Sequence, residues 1–258
     1  MNKIYWLIIV QLGLNFKKTF YALFYFPKFL IDYITFRKSY KGKMNFKPCL
    51  HDIYEEAGTI NSEYFIQDLL VAKKIFNSNP STHLDVGSRI DGFVSNVASF
   101  RQIDVLDIRP LTSSFLDINF KQADLMSKDD ILKIYDIKPS ESVSCLHTLE
   151  HFGLGRYGDQ VDSEGHLTGM MNLSKLVCKK GTLYLSVPIG LDRVEFNANR
   201  VFSPRFIVTG FINLGLKIQN ITIINSIGTI SNVLYDSKEF KNIENESYNL
   251  GIFEFTKP

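Results

Sequence analysis

Short apolar runs alternate with longer amphipathic stretches from about residue 60 onward. The runs have the length and residue types of buried strands, whereas the stretches between them repeat apolar residues at helical spacing. The predicted strands are 83–86, 103–108, one near Phe120, 142–146, 181–187, 217–226 and 250–255, and the predicted helices are 63–76, 172–178 and 206–214. Strands that alternate with helices predict an α/β fold, with a doubly wound, mostly parallel sheet.

The segment 81–100 combines the first strand, a glycine turn and a helical pattern. Gly87 follows the strand directly, and five apolar residues then recur on one helical face: Ile90, Phe93, Val94, Val97 and Phe100. Such a turn lets the backbone approach a ligand, and the start of a helix supplies unpaired N–H groups. The segment predicts a cradle for a nucleotide-like cofactor, with an ordinary ligand-free strand–helix unit as the alternative.

Acidic residues follow three of the predicted strands, but the G-x-G-x-x-G fingerprint of nicotinamide cofactors is missing. This combination favours S-adenosylmethionine, which offers an ammonium, a ribose diol and an adenine amine to acids. Asp107 is predicted to hold the ribose hydroxyls, Asp124 the adenine amine, and Asp85 to order the glycine loop and the methionine end. The predicted cofactor-binding residues are Asp85, Gly87, Ser88, Asp107, Ile108, Asp124, Leu125 and His147.

The segment His147–His151 matches the H-x-x-E-H pattern of a group of zinc hydrolases. That motif needs a helix, whereas here a β-run leads directly into it, and no third metal ligand stands at a suitable distance. We therefore predict no metal site and place the segment in the loop after the fourth strand, where open α/β sheets bind ligands. His147 is expected to border the cofactor and His151 to act as catalytic base, with a purely structural histidine as the alternative for each.

A loop with four glycines, 152–165, follows this segment where an apolar helix would be ordinary. Asp159 is predicted to orient the His151 imidazole, and Arg156 and Tyr157 to bind the substrate. Asn197 and Arg200, beyond the fifth strand, are further candidates for substrate binding, with loop capping as the alternative.

Residues 1–48 differ in composition from the predicted catalytic domain at 49–258. They hold nine Lys or Arg and one acid, although the whole chain has a formal net charge of only +2, so the remainder is acidic and a nucleic-acid partner is not expected. Their aromatic and basic residues favour contact of residues 1–46 with an anionic membrane surface; packing on the domain, a homodimer contact or a true span are the alternatives. The three cysteines, none in a C-x-x-C pair, suit a reducing cytoplasm.

Several of these segments together resemble a bacterial family of methyltransferase-like proteins, catalogued as domain of unknown function 268. They are HLDVGSRIDGF, VLDIRPL, QADLM, SCLHTLEHFGLGRYGD, LYLSVPIG and FNANRVFSP. The resemblance covers roughly residues 64–204 and implies the Rossmann-like fold of class I methyltransferases. It also implies methylation of a sugar, nucleotide-sugar or lipid-linked glycan used for capsule or lipopolysaccharide. A non-catalytic scaffold with this fold, in a glycan-assembly complex, is the alternative function.

Overall fold

The computed structural model describes residues 8–9, 12–58, 60 and 62–258, and the chain forms two compact units, residues 1–59 and 60–258. The sequence begins with an apolar run at 4–14, of which residues 4–7, 10 and 11 lie outside the described residues. Tyr54 packs against Tyr21 and Tyr25, so the segment after residue 48 belongs to the N-terminal unit, and the functional division predicted after residue 48 stays a prediction.

The N-terminal unit is built on one long helix, α1 (Phe16–Ser39), which Asn15 caps by accepting a hydrogen bond from the Lys18 amide. Pro27 and Lys28, which interrupt the apolar pattern in the sequence, lie inside this helix. The segment after α1 covers one side of it, since Phe46 packs on Phe29 and Tyr33. Among the residues that the structure describes, no helix combines the length and the hydropathy that a membrane span requires.

The second unit contains an eight-stranded sheet in the order β3-β2-β1-β4-β5-β10-β8-β9. The strands are β1 (His83–Val86), β2 (Ile103–Asp107), β3 (Ile118–Gln122), β4 (Ser140–Leu146), β5 (Val177–Ile189), β8 (Lys217–Ile224), β9 (Ile230–Asn232) and β10 (Asn249–Thr256), and a separate hairpin is formed by β6 (Arg193–Glu195) and β7 (Asn199–Val201). The first five strands in this order, β3, β2, β1, β4 and β5, pair in parallel. Strand β10 is antiparallel to both of its neighbours, β5 and β8.

Helices cover both faces of this sheet, as the alternating pattern predicts. They are α2 (Glu63–Ser78), α3 (Ser95–Ala98), α4 (Ile131–Ile134), α5 (Gly165–Leu176), α6 (Pro204–Asn213) and α7 (Lys238–Ile243). One core packs residues of α2 and α3 against the sheet, and the other packs α5, α6 and α7 against its opposite face. The doubly wound α/β prediction is therefore confirmed.

Two local predictions differ from the structure. After Gly87 the chain forms an irregular turn, Ile90–Val94, before the single turn of α3, because Gly92 adopts non-helical angles. The predicted helix at 172–178 begins earlier, at Gly165, and ends at Leu176, so Cys178 belongs to β5.

Candidate active site

A cavity of about 640 Å³ opens at the carboxyl ends of β1, β2 and β4. Ligands of open α/β sheets bind at this edge, where neighbouring strands diverge. Eleven of the fourteen residues predicted to form the site line this cavity: Gly87, Ser88, Asp107, Ile108, Asp124, Leu125, His147, His151, Arg156, Tyr157 and Asp159. Asp85, Asn197 and Arg200 are not among the lining residues.

The glycine turn is fixed by its surroundings on both sides. Gly87 has a φ of +74°, and a Cβ there would lie 2.3 Å from the Thr148 methyl carbon. Asp85 is fully buried beneath the turn and accepts hydrogen bonds from the Ser88 amide at 3.0 Å and the Ser88 hydroxyl at 2.8 Å. Asp85 therefore orders the loop as predicted, but its position beneath the turn keeps it from contacting a ligand in the cavity, which corrects its direct role at the methionine end.

Burial raises the pKa of Asp85 to about 6, although the hydroxyl groups of Ser144 and Ser88 favour its charged form. The Ser144 hydroxyl donates to the carboxylate at 2.5 Å. These donors stabilise a charge that would otherwise be costly inside the sheet.

Asp107 ends β2 with its carboxylate at the cavity, as predicted, but Arg109 already binds both of its oxygens. The Arg109 guanidinium donates to Oδ1 at 3.0 Å and to Oδ2 at 2.5 Å, and the Arg109 amide donates to Oδ1 at 2.8 Å. The same guanidinium lies over the Tyr157 ring, 4.7 Å from its centroid. These three donors leave about one of the four acceptor positions of the carboxylate for a ribose hydroxyl unless Arg109 moves.

Asp124 lies at the end of β3, on the cavity wall. Its Oδ1 accepts from the Met126 amide at 2.8 Å, and its own amide donates to the Tyr135 hydroxyl at 2.9 Å. These two contacts fix the carboxylate beside Leu125, which is buried and also lines the cavity.

His147 and Glu150 form a buried ion pair at the base of the cavity. Glu150 is fully buried, and its Oε1 lies 2.8 Å from His147 Nδ1. Burial opposes a charged imidazole, but the hydrogen bond and the charge of Glu150 outweigh it, so the pKa of His147 is raised. The Tyr64 ring stacks on the imidazole at 4.3 Å between centroids, and burial raises the pKa of that tyrosine to about 12.

His151 is also buried, and its tautomer follows from one contact. Its Nδ1 lies 2.7 Å from the carbonyl oxygen of Ala198, which can only accept, so Nδ1 carries the proton and Nε2 keeps a lone pair. Ala198 lies in the turn between β6 and β7, and Arg156 donates to the same carbonyl at 2.8 Å. Burial chiefly lowers the pKa of His151, which favours the neutral base.

The position of Asp159 corrects its predicted role. Its carboxylate accepts from the backbone amides of Gly155 and Tyr157, each at 3.1 Å, and makes no hydrogen bond with His151. Gly155 and Gly158, both with positive φ, turn the loop back so that these amides point at the carboxylate. The Ala198 carbonyl, instead of a carboxylate, orients the histidine.

The two predicted substrate residues beyond β5 also lie elsewhere. Asn197 is exposed in the β6–β7 turn. Arg200 is buried and donates to the Phe152 carbonyl at 2.5 Å, with longer contacts to the carbonyls of Glu150 and Ser163. Arg200 therefore holds the loop against β7 and borders a second cavity of about 360 Å³, on the other side of the loop.

Four residues of the site were not predicted: Tyr64, Asp68, Arg109 and Glu150. Glu150 stands inside the H-x-x-E-H segment, and its position between two histidines is the sequence feature that could have identified it as a site residue. Tyr64 and Asp68 lie on α2, which precedes all the strands in the sequence, and both line the cavity. Burial raises the pKa of Asp68 to about 6.

The H-x-x-E-H segment is a single 3₁₀ turn, Leu149–His151, so its histidines do not lie one α-helical turn apart. No cluster of three or more metal-ligating side chains occurs among the residues that the structure describes.

The family model described as "Caenorhabditis protein of unknown function, DUF268" matches residues 121–232, which is less than half of the chain. It is the family that the sequence segments resemble. The description of this family names Caenorhabditis and gives no function, so it supports neither the bacterial source nor the link to surface polysaccharides that the resemblance implied. No curated protein matches the chain.

Solved structures resemble the chain much more extensively. A 1,6-didemethyltoxoflavin-N1-methyltransferase from Burkholderia thailandensis, with S-adenosylhomocysteine bound, has 11% identity and a TM-score of 0.51 over 74% of this chain and 79% of its own. The N-methyltransferase NodS from Bradyrhizobium japonicum WM9, with the same ligand, has 13% identity and a TM-score of 0.51 over 77% and 89%. The fold is that of the class I methyltransferases. The [4+2]-cyclase SpnF also resembles the chain, with 13% identity and a TM-score of 0.50 over 75% and 80%, so the likeness alone leaves the reaction open.

Proposed function

We propose that the protein is a methyltransferase that uses S-adenosylmethionine to methylate a hydroxyl of a sugar or glycolipid precursor of a surface polysaccharide. The observation that carries this proposal is the meeting of the Gly87 turn, the Asp107 and Asp124 carboxylates and the His151 imidazole around one cavity. The first three suit the cofactor, and the fourth suits an acceptor that must lose a proton.

The cavity residues fit the chemistry of S-adenosylmethionine. A carboxylate accepts two hydrogen bonds at once, so Asp107 is suited to a ribose diol, and Asp124 to the adenine amine. Asp68 is the acid available for the ammonium, since it lies beside Gly92, whose Cβ would come within 3.1 Å of its Oδ2. When bound, S-adenosylmethionine supplies a methyl group on a positively charged sulfur.

The protein's own contribution is positioning and proton removal. His151 Nε2 accepts the proton of the acceptor hydroxyl, while the Ala198 carbonyl holds the opposite nitrogen protonated. A neutral imidazole at pH 7 follows from its lowered pKa.

Arg156 and Tyr157 support an anionic, sugar-containing acceptor. Both are exposed at the cavity, and the Arg156 guanidinium lies 5.2 Å from the Tyr157 ring centroid. Within the described residues, Arg156 has no carboxylate at ion-pair distance, so its charge is available for the phosphate of a nucleotide- or lipid-linked sugar. The ring of Tyr157 offers an apolar surface to a sugar.

The alternative, a non-catalytic scaffold with this fold, is favoured by one observation. Arg109 neutralises the carboxylate that the ribose would need. A protein that never binds the cofactor could keep this ion pair permanently.

Calorimetric titration with S-adenosylhomocysteine tests the proposal. Asp107→Asn should weaken binding by at least about tenfold, because hydrogen bonds to a charged group contribute about 1.5–3 kcal/mol each. The matched control is Asp104→Asn on the same strand, where the carboxylate accepts from Asn119 at 2.9 Å and does not line the cavity. The control should bind within about threefold of the parent. No binding by the folded parent protein would favour the scaffold, and equal affinities of the two variants would refute the role of Asp107.

A further inference from the structure

The outer side of α1 carries an unusual row of exposed apolar side chains. The exposed fraction lies between 56 and 72% for each of six residues: Phe16, Phe20, Leu23, Phe24, Ile31 and Ile34. Most neighbours in this row are three, four or seven residues apart and Leu23 and Phe24 are adjacent, so the six lie on one broad side of the helix. We call these six residues the exposed stripe.

The other side of α1 is already covered within the same unit. Tyr21 stacks on Tyr54 at 4.4 Å, and Phe29 meets Phe46 edge-on at 5.2 Å. Tyr21, Tyr25, Phe29 and Tyr33 therefore form a packed set opposite the exposed stripe, which the sequence pattern alone did not separate, and Phe36, 57% exposed, lies outside both sets near the end of the helix. Burying the stripe requires an external apolar surface.

Basic residues surround the stripe. The helix has five of them, Lys17, Lys18, Lys28, Arg37 and Lys38, and its one acid, Asp32, is paired with Lys28 at 2.7 Å. Lys18 pairs with Glu55 at 2.8 Å. No carboxylate in the described part of the chain lies at ion-pair distance from Lys17, Arg37 or Lys38, and three further lysines follow at 41, 43 and 47.

We propose that α1 lies on an anionic lipid bilayer, with the exposed stripe among the acyl chains near the surface and its lysines and arginine at the headgroups. The apolar stripe suits the acyl chains just below the bilayer surface, and the flanking cations suit its anionic headgroups. A second copy of the chain would bury the stripe too, but would bring two positively charged helices together without compensating acids.

The helix suits the surface of a bilayer and not its interior. Pro27 has no amide hydrogen, so the Leu23 carbonyl lacks its usual helical donor, and this is tolerated where water reaches the backbone. Lysines at both ends and at position 28 would likewise remain at the level of the headgroups.

Co-sedimentation of the full-length protein with vesicles tests the proposal. We expect binding to vesicles of phosphatidylcholine mixed with phosphatidylglycerol at low salt, weak binding to phosphatidylcholine alone, and release by high salt because screening weakens the attraction of lysines to lipid. Phe20→Ser with Leu23→Ser should reduce binding by at least about tenfold, since two large apolar side chains lose their burial. Lys17→Gln with Lys38→Gln should reduce it by roughly tenfold on the anionic vesicles only.

Matched controls come from the second unit. Ile227→Ser with Leu234→Ser removes two apolar side chains that are 78 and 81% exposed, and Lys128→Gln with Lys138→Gln removes two positive charges. Both control variants should bind vesicles as the parent does. Circular dichroism and light scattering of all variants report folding and mass.

Three results would overturn the proposal. The full-length protein could stay in the supernatant with anionic vesicles at low salt, or the stripe variant and its control could bind equally. Light scattering could also reveal a dimer that the stripe variant converts to a monomer without any vesicle binding, which would assign the stripe to a second copy. The affinity for S-adenosylhomocysteine does not enter these outcomes, so they are independent of the proposed reaction.

Discussion

His147 and His151 lie four residues apart, yet their surroundings move their pKa values in opposite directions. Burial dominates at His151 and lowers its pKa, whereas the Glu150 carboxylate overcomes burial at His147 and raises it. Since the pKa of His147 is raised in the fold, its ion pair stabilises the protein below the unfolded value of about 6.5. That contribution is lost as the pH rises through the folded value.

His151→Ala should lower the rate of methyl transfer by at least about 100-fold, because the acceptor hydroxyl loses its general base. The affinity for S-adenosylhomocysteine should stay within about threefold, since the base acts on the acceptor. In the parent protein the rate should be full at pH 7 and fall on acidification through the lowered pKa of His151, as the imidazole becomes protonated. Transfer of an isotope-labelled methyl group to a sugar phosphate acceptor measures both.

The control is His166→Ala, which removes a part-buried imidazole at the second cavity. It should leave the rate and its pH profile close to those of the parent. Full turnover by His151→Ala, or equal losses in the two variants, would argue against His151 as the base.

The loop between β4 and α5 brings Arg156 and Tyr157, the residues proposed to bind the acceptor, to the cavity. Its glycines differ in whether a side chain would fit. Gly153 and Gly158 both have positive φ, at +74° and +83°. A Cβ at Gly153 would lie 1.9 Å from the Asp162 carbonyl oxygen, whereas a Cβ at Gly158 meets no atom within 4 Å. Comparing alanine substitutions at the two glycines therefore separates the stability lost through the backbone angle from the stability lost through the clash.

Gly158→Ala should lower the free energy of unfolding by about 1–2 kcal/mol, the cost of a left-handed conformation for a residue with a side chain. Gly153→Ala should cost more, because the Asp162 backbone must also move, and it should weaken the contact of the loop with α5. Urea denaturation of both variants measures the difference. Equal losses would mean that the loop relaxes around the clash without cost.

The local elements were predictable where one physical requirement dominates. Strand β1 matches its predicted bounds, since all four of its residues are buried between two strands. Asp107 could be placed at the cavity because strand ends in a parallel sheet share one edge. The contact of Ala198 with His151 could not be predicted, because the β6–β7 hairpin brings together residues 47 positions apart and a carbonyl group leaves no signal in the sequence. The same holds for Arg200, whose partners are backbone oxygens.

At the scale of the whole molecule, charge separates the two units. Residues 1–59 hold nine Lys or Arg and four acids, an excess of five positive charges, and because the whole chain carries +2, residues 60–258 carry an excess of three negative charges. Both clusters of buried apolar residues belong to residues 60–258, and so does every residue that lines the cavity.

A fragment of residues 60–258 should therefore fold and bind S-adenosylhomocysteine within about threefold of the full-length protein, because a unit with its own core can fold alone. It should also be acidic, where the full-length chain is basic. Circular dichroism, isoelectric focusing and calorimetry check the three expectations. An unfolded fragment, or one without affinity when the full-length protein binds, would show that the N-terminal unit is needed.

The position of β10 has a consequence for how the protein is made on the ribosome. This strand pairs along its whole length with β5 on one side, and from Leu250 to Thr256 with β8 on the other. During synthesis, strands β1 to β5 can form the parallel half of the sheet early. Strand β5 then keeps an open edge until residues 249–256 have left the exit tunnel. An open, apolar strand edge is a template for pairing with other chains, so nascent molecules are exposed to aggregation during this interval. Chaperones that shield such edges would matter most while the residues between β5 and the end of β10 are translated, and a translational pause between β8 and β10 would lengthen this exposure.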